Sequence, residues 1–348
     1  MNDDKKIALI SGATGQDGSY LTELLLDKGY EVHGIVRRVA FENQDERFSR
    51  IKHLLDKITI YYGDVADYPT VWKIIAAVKP DELYHLAAQS QVGISFQDQF
   101  GAFRINTAST HYILSALKEL RPDCRFYFAG TSEMFGNAVE TPQKETTPFN
   151  PASPYGISKL ASYHLTRMYR EAYGMYTSTG ILYNHESPRR GDEFVTRKIT
   201  STVAKIKKGL EKELRLGNLD AKRDWGFAGD YVEVMWLMLQ QETPDDYVVG
   251  TGENHTVKEF VEKAFRVAGI EIEWQGSGVD EKGIDKKTGR VLVVVDKDLF
   301  RPLDVNELRA DATKAREILG WQPQVKFEDL VKMMVKSDFK ALKRKEKL

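Results

Sequence analysis

Apolar and polar positions along the chain follow two rhythms in its first half. Short runs rich in β-branched and aromatic residues read as strands: Lys6–Ser11, Glu31–Val36, Ile58–Tyr62, Glu82–Leu86 and Arg125–Ala129. Between them, Ser19–Lys28, Arg47–Leu55, Tyr68–Val78 and Ala108–Leu120 carry apolar residues at helical spacing. Pro69 opens one of these helices, and Pro80 and Pro122 close others. Alternating strands and helices with short connections predict a parallel sheet covered by helices on both faces. Beyond about residue 190 the rhythm loosens. Ser201–Gly209, Asp230–Gln241, Thr256–Ala268 and Ala312–Leu319 still read as helices, while Gly276–Gly289 reads as an exposed loop. The expected architecture is a doubly wound α/β sheet with a smaller α/β lobe woven into its C-terminal side. The expected division is 1–183, with returning segments near 225–250, against 184–340 for the lobe.

Composition removes several function classes. The 348 residues include 50 basic and 51 acidic side chains, for a net charge of -1, whereas a nucleic-acid binder carries a basic surplus. The basic stretch Lys340–Lys347 reads as a solvated helix end. A single cysteine, Cys124, excludes an internal disulfide framework and a multi-thiolate metal site, so no metal is expected. No apolar run approaches the ~18 residues that a membrane helix needs. The first residues, Met-Asn-Asp-Asp-Lys-Lys, are too polar for a signal peptide. A cytoplasmic protein with a small-molecule substrate is the expectation.

The first strand runs into Gly12-Ala-Thr-Gly15-Gln-Asp-Gly18, which opens the first helix. Glycines there let the backbone turn tightly and approach a diphosphate seated on the helix N-terminus, the signature of a Rossmann-like dinucleotide site. Cofactor contacts are therefore expected at Gly12, Thr14, Gly15, Gln16, Asp17 and Gly18. The second strand ends not in a carboxylate but in Arg37-Arg38. Guanidinium groups chelate a 2′-phosphate that a carboxylate would repel, so the pattern points to NADP. Asp64, followed by Val65, ends the third strand region, where an Asp can receive the adenine amine. Leu86-Ala-Ala88-Gln-Ser90 ends the fourth, with small residues that let a cofactor pass closely.

Tyr155-Gly-Ile-Ser-Lys159 starts a further helix, and the i,i+4 spacing puts both functional groups on one face. A tyrosine of pKa near ~10 is a poor base at neutral pH. A lysine cation and a positive nicotinamide nearby would lower that pKa and let the phenolate take an alcohol proton. Past the end of the fifth strand stand Thr131, Ser132 and Glu133. Thr131 fits an oxidation site, whereas Glu133 has no task in oxidation, and a functional role weighs evenly there against a helix cap or surface carboxylate.

These motifs together resemble the extended short-chain dehydrogenase/reductase family. More narrowly, SGATGQDGSYLTELLLDKGYEVHGIVRR, GTSEMFG, SPYGISKLASYHL, NHESPRRG and LGNLDAKRDWG resemble the GDP-mannose 4,6-dehydratases. The resemblance implies that Thr131, Glu133, Tyr155 and Lys159 are catalytic, with Glu133 the C5 base of an elimination. It implies that His185 and Arg190 add NADP contacts, and that Asn184, Lys198, Gly217, Arg223 and Arg301 hold a GDP-sugar. It further implies a homodimer or homotetramer. Three acids after Arg38 (Glu42, Asp45 and Glu46) depart from the Ser-rich loop that supports the tetramer in such enzymes. Phe100-Gly101 and Tyr183 depart from the usual Tyr and Phe. A GDP-heptose dehydratase, a reductase or epimerase, and a non-catalytic NADP sensor remain alternatives.

Overall fold

The computed structural model describes residues 5–38, 44–300 and 307–345. β1 (Ile7–Ser11) leads into α1 (Gln16–Asp27), and β2 (Glu31–Val36) ends at Arg37. A short α2 (Gln44–Arg47) precedes β3 (Thr59–Tyr62), α3 (Tyr68–Val78) and β4 (Glu82–His85). α4 (Val92–Gln97) and α5 (Gln99–Phe103) pass through a π-helical turn, Arg104–Ala108, into α6 (Ser109–Leu120). β5 (Arg125–Thr131), α7 (Pro154–Tyr173) and β6 (Thr177–Leu182) complete this half.

The chain then crosses to the lobe through β7 (Asn184–Glu186), α8 (Val195–Lys207), β8 (Leu214–Leu216), β9 (Lys222–Arg223) and β10 (Trp225–Phe227). It returns to the large sheet with α9 (Ala228–Met238) and β11 (Tyr247–Val249). The remainder comprises β12 (His255–Thr256), α10 (Val257–Val267), β13 (Ile272–Gln275), β14 (Lys282–Asp285), β15 (Val291–Val295), β16 (Glu307–Leu308), α11 (Thr313–Leu319) and α12 (Phe327–Lys345).

The large sheet has seven strands in the order β11-β6-β5-β4-β1-β2-β3, and every pairing in it is parallel. Its strands are apolar on both faces because both faces are covered. Val71, Ile74, Ile113, Leu117 and Tyr163 pack on one side, from α3, α6 and α7. Leu21, Leu25, Val232, Met235 and Ala315 pack on the other, from α1, α9 and α11. The lobe has a core of its own, in which Ile199, Val203, Phe260, Val261, Leu330 and Val331 of α8, α10 and α12 lie against Leu214 and Val293. Its sheets are β13-β14-β15-β8 and β12-β9-β16.

Two expected elements differ. Arg47–Leu55 is not one helix but ends α2 and then forms a single 3-10 turn at Lys52–Leu54. Phe48, Ile51 and Leu54, three apart, bury together against Val36, and an i,i+3 register suits the tighter turn. Gly276–Gly289 is not all loop: β14 lies inside it, paired antiparallel with β13 and with β15. Its Gly- and Lys-rich composition concealed a strand that exists only because a partner lies on either side.

Candidate active site

β4 and β1 are neighbours although β2, β3 and α3 lie between them in sequence, so the strand order reverses there. Ligands of open α/β sheets sit at the C-terminal ends of the strands at such a switch point. Here Ser11 Oγ accepts from Leu86 N and Ala87 N at 3.1 and 3.2 Å, tying the two strand ends together. His85 bridges Ser11 Oγ (2.7 Å) and Ser109 Oγ (3.0 Å), and burial pushes its imidazole down to about 3, so it stays neutral.

The glycine-rich turn has the shape of a cradle. Gly12 has φ +79°, and a Cβ there would lie 2.9 Å from Ala87 N. A Cβ on Gly18 would lie 2.2 Å from Gly12 O. Both glycines thus serve the packing of the turn itself. At Gly15 a Cβ would meet only Gly12 O, at 3.1 Å, and the space beyond is open. No side chain caps α1, which leaves the N–H groups of its first turn to an outside acceptor. These features fit a dinucleotide diphosphate. Arg37 and Arg38 stand exposed past β2, with the Arg38 guanidinium 5.1 Å from the Tyr62 ring centre. Val65 is buried, Asp64 accepts from Ala66 N at 2.9 Å, and Leu86 and Ala88 are half-buried with Ser90 exposed. Thr14 O accepts from the Arg50 guanidinium at 3.3 Å.

Three of the residues expected to be catalytic, Thr131, Glu133 and Tyr155, adjoin one another, and Lys159 follows Tyr155 one turn along α7. Thr131 ends β5, and its hydroxyl accepts from Glu133 N at 3.3 Å, fixing the one-turn segment Ser132–Met134. Ser153 caps α7 through Gly156 N, which sets Tyr155 in the helix's first turn. A Cβ at Gly156 would come 2.6 Å from Glu133 O, so the glycine lets α7 press against the Glu133 turn. Lys159 is buried, with Nζ donating to Ala129 O at 2.9 Å. Burial lowers its amine to about 7, with Asp17 opposing. Tyr155 goes the other way from the expectation. Burial pushes it up to about 12, a hydrogen bond with Thr131 pulls it down, and the Glu133 charge raises it. Lys159, withdrawn onto a carbonyl, does not offset that burial.

Segment 184–190 places its polar side chains around the cradle. His185 Nε2 meets Asp17 Oδ2 at 2.8 Å, and its Nδ1 meets Tyr183 O at 2.8 Å. Gln16 Nε2 donates to His185 O at 3.0 Å, and Ser187 Oγ donates to Gln16 Oε1 at 2.8 Å. Arg189 pairs with Glu23 at 2.7 Å across the Tyr20 ring. Arg190 lies 3.2 Å from the buried Glu186 carboxylate and over the Phe194 ring. Tyr183, where a Phe was expected, has its hydroxyl satisfied by Gln143 Oε1 at 2.7 Å.

The residues expected to hold the substrate are less closely gathered. Asn184 is half-buried on β7. Lys198 on α8 has its amine lowered by burial, with Asp296 opposing. Gly217 packs on the Leu299 backbone, and Arg223 is buried on β9 with one guanidinium nitrogen on Lys222 O at 2.8 Å. Arg301 and Glu42 lie outside the described residues. Among the described residues no cluster of His, Cys, Asp and Glu could hold a metal ion, and no helix is long and apolar enough to cross a membrane.

Sequence reasoning missed a supporting network. Asn106, in the π-helical turn, accepts from Gln89 N (2.8 Å) and donates to Gln89 O (3.2 Å) and Ser158 Oγ (2.9 Å). Ser158 Oγ donates to Tyr155 O, and Ser95 Oγ accepts from Tyr155 N. The cofactor loop and the start of α7 are thereby fastened together. The sequence reading began that helix at Ala108, after Asn106, so no local signal pointed to this network.

The profile of the family described as GDP-mannose 4,6 dehydratase matches residues 9–334. The GDP-mannose 4,6 dehydratase of Drosophila melanogaster is 50% identical over 97% of this chain and 87% of its own length. The Homo sapiens enzyme of the same name is 49% identical over 99% of this chain and 94% of its own. Among solved structures, a UDP-glucose 4-epimerase from Thermotoga maritima superposes with a TM-score of 0.81 at 23% identity, covering 97% of this chain and 99% of that one. The dinucleotide cradle, the Tyr155–Lys159 helix and the glutamate turn thus sit in a chain that belongs to the GDP-mannose 4,6-dehydratase family.

Proposed function

We propose that the protein is a hydro-lyase, a GDP-mannose 4,6-dehydratase, which converts GDP-mannose to GDP-4-keto-6-deoxymannose with bound NADP. The observation that carries this reading is Glu133, a carboxylate beside Thr131 and Tyr155 that oxidation alone does not require.

Thr131 hydrogen-bonds the sugar oxygen at C4, and Tyr155, as phenolate, takes the C4 hydroxyl proton. NADP, held by the turn from Gly12 to Gly18 and by Arg37 and Arg38, would supply the redox chemistry between C4 and C6. Lys159 carries the positive charge that favours the phenolate once its amine is protonated. The C4 ketone acidifies the hydrogen at C5. Glu133 removes that proton, and the same carboxyl group delivers a proton to the C6 hydroxyl as it leaves as water. A positioned acid/base of this kind contributes roughly 10²–10⁴-fold.

Arg37 and Arg38 support NADP over NAD, and the open cradle at Gly12, Thr14, Gly15, Gln16, Asp17 and Gly18 supports the diphosphate position. Asp64, Val65, Leu86, Ala88 and Ser90 line the adenosine side, and Arg190 approaches from the lobe. Residues 1–183 with 225–250 hold NADP, and 184–340 hold the GDP-sugar through Asn184, Lys198, Gly217, Arg223 and Arg301. Exposed apolar residues on α5 and α7, Phe100 at 92% and Ile157 at 45%, support at least a homodimer. Light scattering on the purified protein tests that state.

The function is tested by incubating the protein as purified with GDP-mannose and no added cofactor. Loss of one water from the sugar, read by mass, is the expected result. A two-hydrogen loss with stoichiometric NADP+ would sink the dehydratase reading. Unchanged GDP-mannose beside a dehydrated GDP-heptose would move the substrate.

A further inference from the structure

Asp17 is oddly placed for a cofactor contact. It stands in the first turn of α1, where the helix end favours a negative charge and where a diphosphate would also dock. An uncompensated carboxylate there would repel that diphosphate. The structure shows what compensates it.

His185 has an acceptor on each ring nitrogen. Tyr183 O, at 2.8 Å from Nδ1, can only accept, so Nδ1 carries a proton. The Asp17 carboxylate lies 2.8 Å from Nε2, and it also accepts from Gln16 Nε2 at 3.1 Å, which favours its charged form. Two ring protons make an imidazolium. The ring lies flat on Tyr231, centre to centre 4.7 Å, with 23° between planes. Arg190 is a further charged neighbour, and Asp17 also faces Lys159, Tyr155, Tyr127 and Tyr20. Burial resists both charges, but each partner holds the other ionised: Asp17 moves below and His185 above its ordinary range.

We propose that Asp17 and His185 form a buried ion pair that neutralises the carboxylate beside the diphosphate site and pins segment 184–190 over the cofactor turn. Asp17 is on this account a positioning residue acting through His185. The ring nitrogens of His185 are spent on protein partners and not on the cofactor. The inference rests on the NADP reading above. The pair gates how long the cofactor stays. When His185 loses its proton, the Asp17 charge is exposed to the diphosphate, the strap loosens, and NADP leaves faster.

The test follows exit of bound NADP from the protein as purified, chased with labelled NADP between mildly acid and alkaline pH. In the native protein the exit rate should climb as pH rises through the His185 ionisation. H185Q should lose roughly tenfold or more in retention, as expected for a hydrogen bond between charged groups, and should show no such climb. Comparing the two proteins cancels the 2′-phosphate's own ionisation, which falls near ~6. D17N/H185Q, an amide pair without charge, should retain NADP better than H185Q alone. The pair is refuted if H185Q keeps the native rate and pH profile, or if the double variant loses cofactor faster than H185Q. Native protein that holds no NADP at all would instead overturn the cofactor reading.

Discussion

The turn after β1 and the turn after β5 each carry a carboxylate, and the fold treats Asp17 and Glu133 differently. Asp17 is held by an imidazolium and an amide, and so is fixed in its charged form. Glu133 sits half-buried on a single turn whose backbone is set by Thr131 and by the close approach of Gly156. A group that stays ionised is given a counter-charge, one that lasts as long as His185 keeps its proton. The group proposed to take and return a proton has its backbone positioned by Thr131 and Gly156, and its charge raises Tyr155.

The largest effect that could break this contrast is expected from Glu133→Gln. Dehydration should fall by roughly 10²–10⁴-fold while the bound nicotinamide still becomes reduced on addition of GDP-mannose. Product mass and nicotinamide absorbance measured together decide it, and full dehydration by the variant would return Glu133 to the surface. Next is Gly156→Ala, whose Cβ would stand 2.6 Å from Glu133 O. Displacing the turn by a fraction of an ångström should cost up to ~10²-fold in turnover with NADP content unchanged. Loss of NADP along with turnover would mean that the glycine serves the cradle as well.

On the Asp17 side the expected change is in stability and its pH dependence. His185 is raised above its ordinary range, so its share is complete below ~6.5 and is lost as pH rises through the raised value. Asp17 is lowered, so its share is complete above ~3.9 and is lost as pH falls through the lowered value. Asp17→Asn should therefore cost ~1.5–3 kcal/mol across that window, with the difference in melting temperature closing at alkaline pH. A pH-independent difference would argue for simple packing. The smallest effect is Tyr183→Phe. Gln143 Oε1 keeps its bond from Arg309 N, so the loss should be ~1 kcal/mol by denaturant melt, with dehydration unchanged.

The two sides were also unequally legible. The cradle, the arginine pair and Tyr155–Lys159 could be read because each obeys a local spacing rule: a strand-to-helix turn, a strand end, one helical face. Glu133 became meaningful only through a resemblance, since nothing local joins residue 133 to residue 155. The Asp17–His185 contact spans 168 positions, and no periodicity could announce it. β6 and β11 went unnoticed, whereas in the fold they extend the sheet beyond β5. The substrate end suffered most: Lys198 comes from α8, Gly217 from the turn after β8 and Arg223 from β9.

The passage from β6 through Tyr183 into β7 has a practical consequence for anyone recombining relatives of this chain. A crossover at the apparent boundary near residue 183 would pair one parent's Gln16 and Asp17 with another parent's His185 and Ser187. Chimeras cut there inherit a mismatched seam even when both halves fold. Exchanging sugar specificity calls for breakpoints after Arg190, so that the strap travels with the turn it holds.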